Sequence, residues 1–280
     1  MALPKRIRHG SILPGFGLSM AITISWLTLI VLIPLAAAIL KTLGMGWNEF
    51  VRVGFSSRAI DAYQLSFGTA AAAGAFNMLF GLLLAWVLVR YQFPGRRLVE
   101  ALVDLPFALP TAVAGIALTT LYVPSGWVGR FAEQAGVQVA FTPLGITLAL
   151  IFVGIPFVVR SVEPVLRDVA ADQEEAALTL GATRFQTFWL VLLPTLAPAL
   201  LSGFALAFAR AVGEYGSVIF ISGNMPGKTE IAPLLIVTQL EQYEYSAATA
   251  NAVIMMVIAF GVLLTINSLQ LMLARRGKRS

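Results

Sequence analysis

The stretch Glu174–Pro194, EEAALTLGATRFQTFWLVLLP, is polar and glycine-punctuated, and it lies between two apolar runs long enough to cross a bilayer. Its local chemistry predicts two short helices. Asp172 is expected to cap the first, and Glu175 three positions later favours the positive end of its dipole. Ala176 and Ala177 are small and let another surface come close to the backbone. Gly181 ends that helix, because glycine takes the left-handed conformation without steric cost. Thr183 and Gln186 have the spacing of a capping box and begin the second helix. Pro194 and Pro198 are expected to break or kink the chain where the next apolar run starts. The product is an elbow with Ala177, Leu178, Leu180, Phe185 and Phe188 to bury, either on its own bundle or in a partner. A membrane protein that holds such an elbow clear of the lipid presents a socket to something soluble.

Composition says that the chain is a membrane protein. Of its 280 residues 58% are hydrophobic and only 12% are charged, about half the charge of a soluble domain. The apolar runs are continuous and not alternating, and lipid obliges every backbone amide to pair within its own segment. An all-α polytopic bundle is therefore expected, not a barrel. Six spans of the length that crosses about 30 Å of hydrocarbon are predicted: Phe16–Leu40, Tyr63–Val89, Leu98–Val123, Leu144–Val159 (with room to extend past Arg160), Ala197–Ile221 and Ala247–Leu273. There is no cysteine, hence no disulfide and no thiol-bound metal. The one histidine, His9, has no second ligand near it in sequence.

The net charge of +5 is not the footprint of a nucleic-acid binder, because the basic residues flank the apolar runs. Lys5, Arg6, Arg8, Arg90, Arg96, Arg97, Arg160, Arg167, Arg184, Arg275, Arg276, Lys278 and Arg279 fall on one side of a six-span topology, and Lys41, Arg52, Arg58, Arg130 and Lys228 on the other. Thirteen against five places both termini and the elbow in the cytoplasm by the positive-inside rule. The first run has the basic head and the Ala36-Ala37-Ala38 stretch of a signal peptide, but a signal core is only about 7–15 residues, so a retained anchor is expected. The resulting organisation is a cytoplasmic N-tail at 1–15, a first transmembrane helix at 16–40 and a polar outer segment from Thr42 to Asp61. A five-span core at 62–270 follows, carrying the elbow at about 168–194, and then a basic cytoplasmic C-tail at 274–280.

Ionisable and helix-breaking residues inside the spans mark a candidate path. The third span holds Asp104, Pro106, Pro110, Thr111 and Gly115; two prolines four apart remove backbone donors and bend or unwind a helix. Non-helical backbone at membrane depth is tolerated only inside protein or beside an aqueous cavity. The fifth span carries Arg210 and Glu214, spaced to pair on one helical face, with Gly213, Gly216 and Ser217 beside them. Asp104 is an alternative partner for Arg210. Such a pair either fixes helix register or takes part in transport. Gly68, Gly74 and Gly81 with Asn77 suggest close helix contacts in the second span. Gly227-Lys228-Thr229 looks like the end of a phosphate loop, but Ser222 stands where the first glycine is needed and the segment lies outside. Any nucleotide must be hydrolysed by another protein.

The elbow resembles the EAA signature of permease subunits of ABC importers: Glu175-Ala176-Ala177, three residues, Gly181, nine residues, then Val191-x-Leu193-Pro194, with Val191 where the family has Ile. Further segments resemble the sulfate/thiosulfate permeases of the CysT type: Arg90–Arg96 (RYQFPGR), Asp104–Gly115 (DLPFALPTAVAG), Ile155–Arg160 (IPFVVR), Glu175–Thr183 (EAALTLGAT) and Gly213–Asn224 (GEYGSVIFISGN). The resemblance implies the type I importer permease fold in a bacterial cytoplasmic (inner) membrane. It implies a related second permease (CysW-like), two ATP-binding subunits (CysA-like) and a periplasmic sulfate/thiosulfate-binding protein as partners. ATP and Mg would be bound by the partner ATPase and no cofactor by this chain, which would not be an enzyme. Glu175, Ala176, Ala177, Gly181, Leu193 and Pro194 would couple to the ATPase. Asp104, Pro106, Pro110, Thr111, Arg210, Glu214 and Ser217 would line the path or gate, with Thr119 and Thr120 as further hydroxyls. The outer segment Thr229–Glu241 reads as a short amphipathic helix at the outer mouth, presenting Ile231, Leu234, Leu235 and Thr238. A molybdate or tungstate permease is the nearest alternative. An ion-coupled secondary transporter using Asp104 and Glu214 would leave the elbow without a purpose. An intramembrane enzyme lacks a nucleophile–base pair or metal cluster in the spans.

Overall fold

The computed structural model describes residues 16–168 and 171–276. The N-tail at 1–15, with His9, and residues 277–280, with Lys278 and Arg279, lie outside the described residues. Within these the secondary structure is helical. The helix α1 (Phe16–Leu43) and the short α2 (Trp47–Gly54) lead into α3 (Ser57–Arg90). Next come α4 (Arg96–Ala108), α5 (Thr111–Tyr122), α6 (Trp127–Gln134) and α7 (Pro143–Asp168). The elbow supplies α8 (Ala171–Thr179), and α9 (Arg184–Val212), α10 (Val218–Ser222), α11 (Ala232–Glu241) and α12 (Tyr245–Arg276) complete the chain. Five of these, α1, α3, α7, α9 and α12, are each long and apolar enough to cross a bilayer, and α4 with α5 makes a sixth crossing only as a pair bent by 115°.

Both faces of the bundle can be read along α3. At its N-terminal end Arg58 grips Glu230 through Nε and Nη2, each at 2.7 Å, and Tyr63 Oη donates to Asn251 Oδ1 at 2.8 Å. At its C-terminal end Arg90 pairs with Glu174 of the elbow. The elbow and the 91–95 turn therefore occupy one face, and α11 with the 225–231 turn the other. Gly227-Lys228-Thr229 sits in that second turn, where the Met225 carbonyl accepts from the amides of Lys228, Thr229 and Glu230. The turn lies opposite the elbow.

The core is α7 clasped by α3 and α9. More than half of the apolar stretch of α7 is buried (56%), against none of that of α1, so α7 is the central post, whereas α1 packs on α12 only towards its C-terminal end, where Thr42 is buried. Without a hydrophobic force between helices in lipid, close packing depends on small residues. On α3 these are Ala70, Ala73, Gly74, Gly81 and Ala85. A Cβ on Gly81 would stand 2.8 Å from Val158 Cγ1, and one on Gly74 would stand 2.9 Å from the Phe204 ring. Asn77 is buried between them, and Gly154 of α7 leaves it room: a Cβ there would meet Asn77 Nδ2 at 2.3 Å. Gly68, by contrast, has open space beside it, so only two of the three glycines make a close contact.

Two of the spans take options that the sequence left open, and one needs correction. The fourth runs on to Asp168, because Arg160, Glu163 and Arg167 pair with one another and with α4 instead of ending the helix. The third is broken at Pro110 into two helices. The fifth begins at Arg184 and not at Ala197: the second helix of the elbow continues straight into it. The chain absorbs Pro194 by widening Phe188–Leu192 into a π-turn, which accommodates the carbonyl that the proline ring crowds and its missing N–H leaves free. The same device, Thr28–Leu32, precedes Pro34 in α1.

Gly81→Ala should overpack the seam with Val158, at a cost of about 1–3 kcal/mol, and lower the unfolding temperature of the purified protein in detergent. Gly68→Ala, made in open space, should leave that temperature unchanged or raise it slightly.

Candidate functional site

The elbow is built locally. Its first helix closes in a Schellman arrangement: Ala182 N–H donates to the Ala177 carbonyl and Gly181 N–H to that of Leu178, both at 3.0 Å, with Gly181 at φ +84°. A residue with a Cβ is strained there. The capping box follows: Gln186 N–H donates to Thr183 Oγ1 at 3.3 Å, and Thr183 N–H to Gln186 Oε1 at 2.8 Å. Asp172 is the second residue of α8 and so stands inside the helix, not before it as a cap.

The side chains that this elbow was expected to bury divide into two groups. Phe188 turns inward and meets the Trp86 ring edge-on at 5.8 Å, and Thr187 and Leu192 are buried. Leu180 is 89% exposed, Phe185 72% and Leu178 49%, with Trp189 and Leu190 exposed beside them. The elbow is pinned to its own bundle by Arg90–Glu174 and by Phe188, yet turns an apolar face away from it. Packing on its own bundle is thus not what those leucines and Phe185 are for. Leu193 is half-buried, while Glu175, Ala176, Gly181 and Pro194 are exposed.

The second part of the site is where two breaks in the spans meet. Leu109 precedes Pro110 and is driven into an extended conformation (ψ 134°), which ends α4. Pro106 remains inside α4. In α9 the helix stops at Val212, and Gly213–Ser217 runs as a non-helical turn before α10. Glu214 organises this turn. It is 1% exposed, forms an ion pair with Arg210 (Nη1 to Oε2, 2.5 Å) through one oxygen, and accepts from Ser217 N–H at 2.9 Å and Ser217 Oγ at 3.0 Å through the other. The turn then packs on α5 at glycine contacts. A Cβ on Gly115 would meet the Ser217 carbonyl oxygen at 2.5 Å, and one on Gly216 would meet Thr111 Oγ1 at 2.2 Å. Thr111, Gly115, Glu214, Gly216 and Ser217 are thus one structural unit, drawn from two stretches far apart in the sequence. Thr119 and Thr120 donate their hydroxyls back to the carbonyls of Gly115 and Ile116.

Asp104 does not join that unit. It pairs with Arg160, whose Nε donates to Asp104 Oδ1 at 2.9 Å and whose Nη2 reaches the other oxygen. Arg160 Nη1 also donates to Glu163 Oε2 at 2.6 Å, and Glu163 accepts from Arg167. Among the described residues, Arg210 pairs with Glu214. Glu163, only 5% exposed, was not foreseen as a site residue. The signal was present in the spacing Arg160, Glu163, Arg167, which stacks three charges on one helical face.

Residues 77–279 match the family described as binding-protein-dependent transport system inner membrane component. The chain belongs to that family. It is 48% identical over 266 residues, covering 95% of this permease and 93% of the relative, to the sulfate transport system permease protein CysT of Synechocystis sp.. With the protein of the same name from Escherichia coli (strain K12) it shares 46% over 265 residues, covering 95% and 96%. Among solved structures the permease resembles a chain of a bacterial ABC transporter that imports the acidic polysaccharide alginate, at TM-score 0.75, 19% identity and coverage of 91% and 95%. A chain of the inward-facing MetNI methionine ABC transporter matches at TM-score 0.58 and 17% identity, covering 77% of this permease. These two likenesses are of fold, and they show that the bundle is that of type I importer permeases.

Glu214→Leu should destabilise the permease by more than Glu214→Gln, because the amide still offers Ser217 an acceptor, whereas leucine orphans two donors at about 1–3 kcal/mol each. Thermal unfolding in detergent would order wild type, Gln and Leu in that sequence.

Proposed function

We propose that this permease is the translocation-pathway subunit of an ATP-driven importer of sulfate or thiosulfate in a bacterial cytoplasmic membrane, with the elbow and both termini on the cytoplasmic side. The observation that carries the coupling role is the exposed apolar face of a rigidly locked elbow. Leu178, Leu180 and Phe185 are held out by a Schellman turn and a capping box, as a surface for a soluble partner must be. The orientation is supported by thirteen basic residues on the elbow side against five on the other. Sulfate is supported by the curated relatives at 46–48% identity along nearly the whole chain.

The partners that follow are a CysA-like ATPase pair beneath the elbows, a CysW-like second permease and a periplasmic binding protein that delivers the oxyanion. ATP and Mg would be handled by the ATPase, and this chain would hydrolyse nothing. A transport route for a dianion must replace hydration, since burying even one unpaired charge costs tens of kcal/mol by Born reasoning. Amides and hydroxyls around the two breaks, with Arg210 beside them, are the groups available to do so.

Continuity of α9 makes the mechanism specific. Its N-terminal turn belongs to the elbow and its C-terminal turn carries Arg210, about 40 Å away along one helix. ATP-driven closure of the ATPase would displace the elbow, and α9 would carry that displacement to the Gly213–Ser217 turn and to α5, opening the path outward. Hydrolysis would reset it.

The reconstituted complex in liposomes should hydrolyse ATP faster when sulfate-loaded binding protein is supplied, and molybdate should compete poorly; stimulation by molybdate alone would reassign the substrate. Leu180→Asp with Phe185→Asp should reach the membrane but lose the ATPase on co-purification. Gly181→Val strains the elbow by about 1–2 kcal/mol. It should cut sulfate uptake while ATP turnover persists, and normal uptake would argue against the coupling role.

A further inference from the structure

We infer that Arg160 is a positioning residue for transport: it ties α4 to α7 through Asp104 in this conformation and releases α4 when the elbow moves. The inference rests on the coupling role proposed above and adds the route by which the bent pair is controlled.

The four charges form a line, Arg167–Glu163–Arg160–Asp104, with a buried anchor in its interior and a free end. Glu163 is the anchor: its side chain is 6% exposed and receives both Arg160 and Arg167 from its own helix. The Asp104–Arg160 pair is the free end, with side chains 43% and 38% exposed. A buried ion pair resists opening because the separated charges cannot be rehydrated. A half-exposed pair gains little on closing and loses little on opening. Arg160 therefore keeps its grip on Glu163 while its grip on Asp104 is reversible.

The position of the pair turns that reversibility into a device. Arg167 is the penultimate residue of α7, next to the segment that enters α8 of the elbow. Asp104 stands two residues before Pro106, on the helix that ends at the 115° bend. The rest of the α4–α7 seam is apolar and can slide: Val103 is buried there, and Phe107 meets Phe157 edge-on at 5.2 Å. Leu98, Leu102 and Leu105, on another face of α4, are exposed. Among the described residues, Asp104–Arg160 is the directional contact that sets where α4 sits on α7. The guanidinium can do this because it meets the carboxylate with two N–H groups and keeps a third for Glu163.

The chain has no cysteine, so thiols placed by Phe107→Cys and Phe157→Cys, at the α4–α7 contact beside the pair and with Asp104 and Arg160 left in place, would be its only ones. In the complete complex, a short bis-methanethiosulfonate, which forms a disulfide with each thiol and releases methanesulfinate, should link them without nucleotide. Linking should fall about fivefold or more when the ATPase is trapped with ATP and vanadate, as read by mass spectrometry of the joined peptides. Linked complexes should lose sulfate uptake and regain it on reduction. Arg160→Lys, which keeps the charge but not the fork, should lower sulfate transported per ATP by about fivefold or more while the ATPase stays bound. Equal linking in both nucleotide states, or unchanged transport per ATP in Arg160→Lys, would overturn the release of Asp104. A wild-type complex with no ATP-driven uptake would overturn the importer assignment itself.

Discussion

A peptide group without a hydrogen-bond partner is among the most costly defects that a membrane interior can contain, and this permease carries two interruptions of helix within the stretches expected to span it. It manages them by placing one against the other. The Gly213–Ser217 turn is stitched from within by Glu214, which receives the amide and hydroxyl of Ser217 and the guanidinium of Arg210. From outside it is covered by α5, the helix that begins at the other interruption, at a spacing that Gly115 and Gly216 alone permit. The glycines here serve close approach, not flexibility.

Under the coupling role proposed above, power would reach that unit from the opposite end of the bundle. The elbow is anchored to α3 by Arg90 and Trp86 but is continuous with α9, so displacement at Phe185 would become displacement at Arg210. The π-turn at Phe188–Leu192 is what preserves this continuity across Pro194. The line of charges from Arg167 to Asp104 gives α4 a second connection to the elbow, through α7. Two rigid helices leaving one socket and arriving at two sides of one break is an economical way to change access with a small motion.

Much of the elbow was legible beforehand because its chemistry is local. The Schellman turn and the capping box use residues within a few positions of one another, and Gly181, Thr183 and Gln186 do what their types dictate wherever they stand. Arg210 with Glu214 was legible for the same reason, one helical turn apart. Asp104 with Arg160 was not, because the partners are 56 positions apart, and a residue's charge says only that a partner is required, not which. Helix ends failed where hydropathy was taken as the guide. Arg160, Glu163 and Arg167 lower the average but satisfy one another, so α7 extends through them. Pro194 and Pro198 do not break the chain as they could have done: a widened turn at Phe188–Leu192 relieves the clash at Pro194, and Pro198 stays inside the helix.

Composition and spacing by themselves determined that this chain is a helical membrane bundle, roughly where its spans fall, and that an elbow of two short helices stands between two of them. These follow from lipid and from short-range backbone chemistry, which act on each segment separately. Only the tertiary structure decided that the third span folds back at Pro110, that its break lies on the Glu214 turn, that Asp104 belongs to Arg160, and that Leu180 and Phe185 remain uncovered by their own chain. Each of those is a relation between segments, set by which surfaces fit at close range, and no segment carries that information alone.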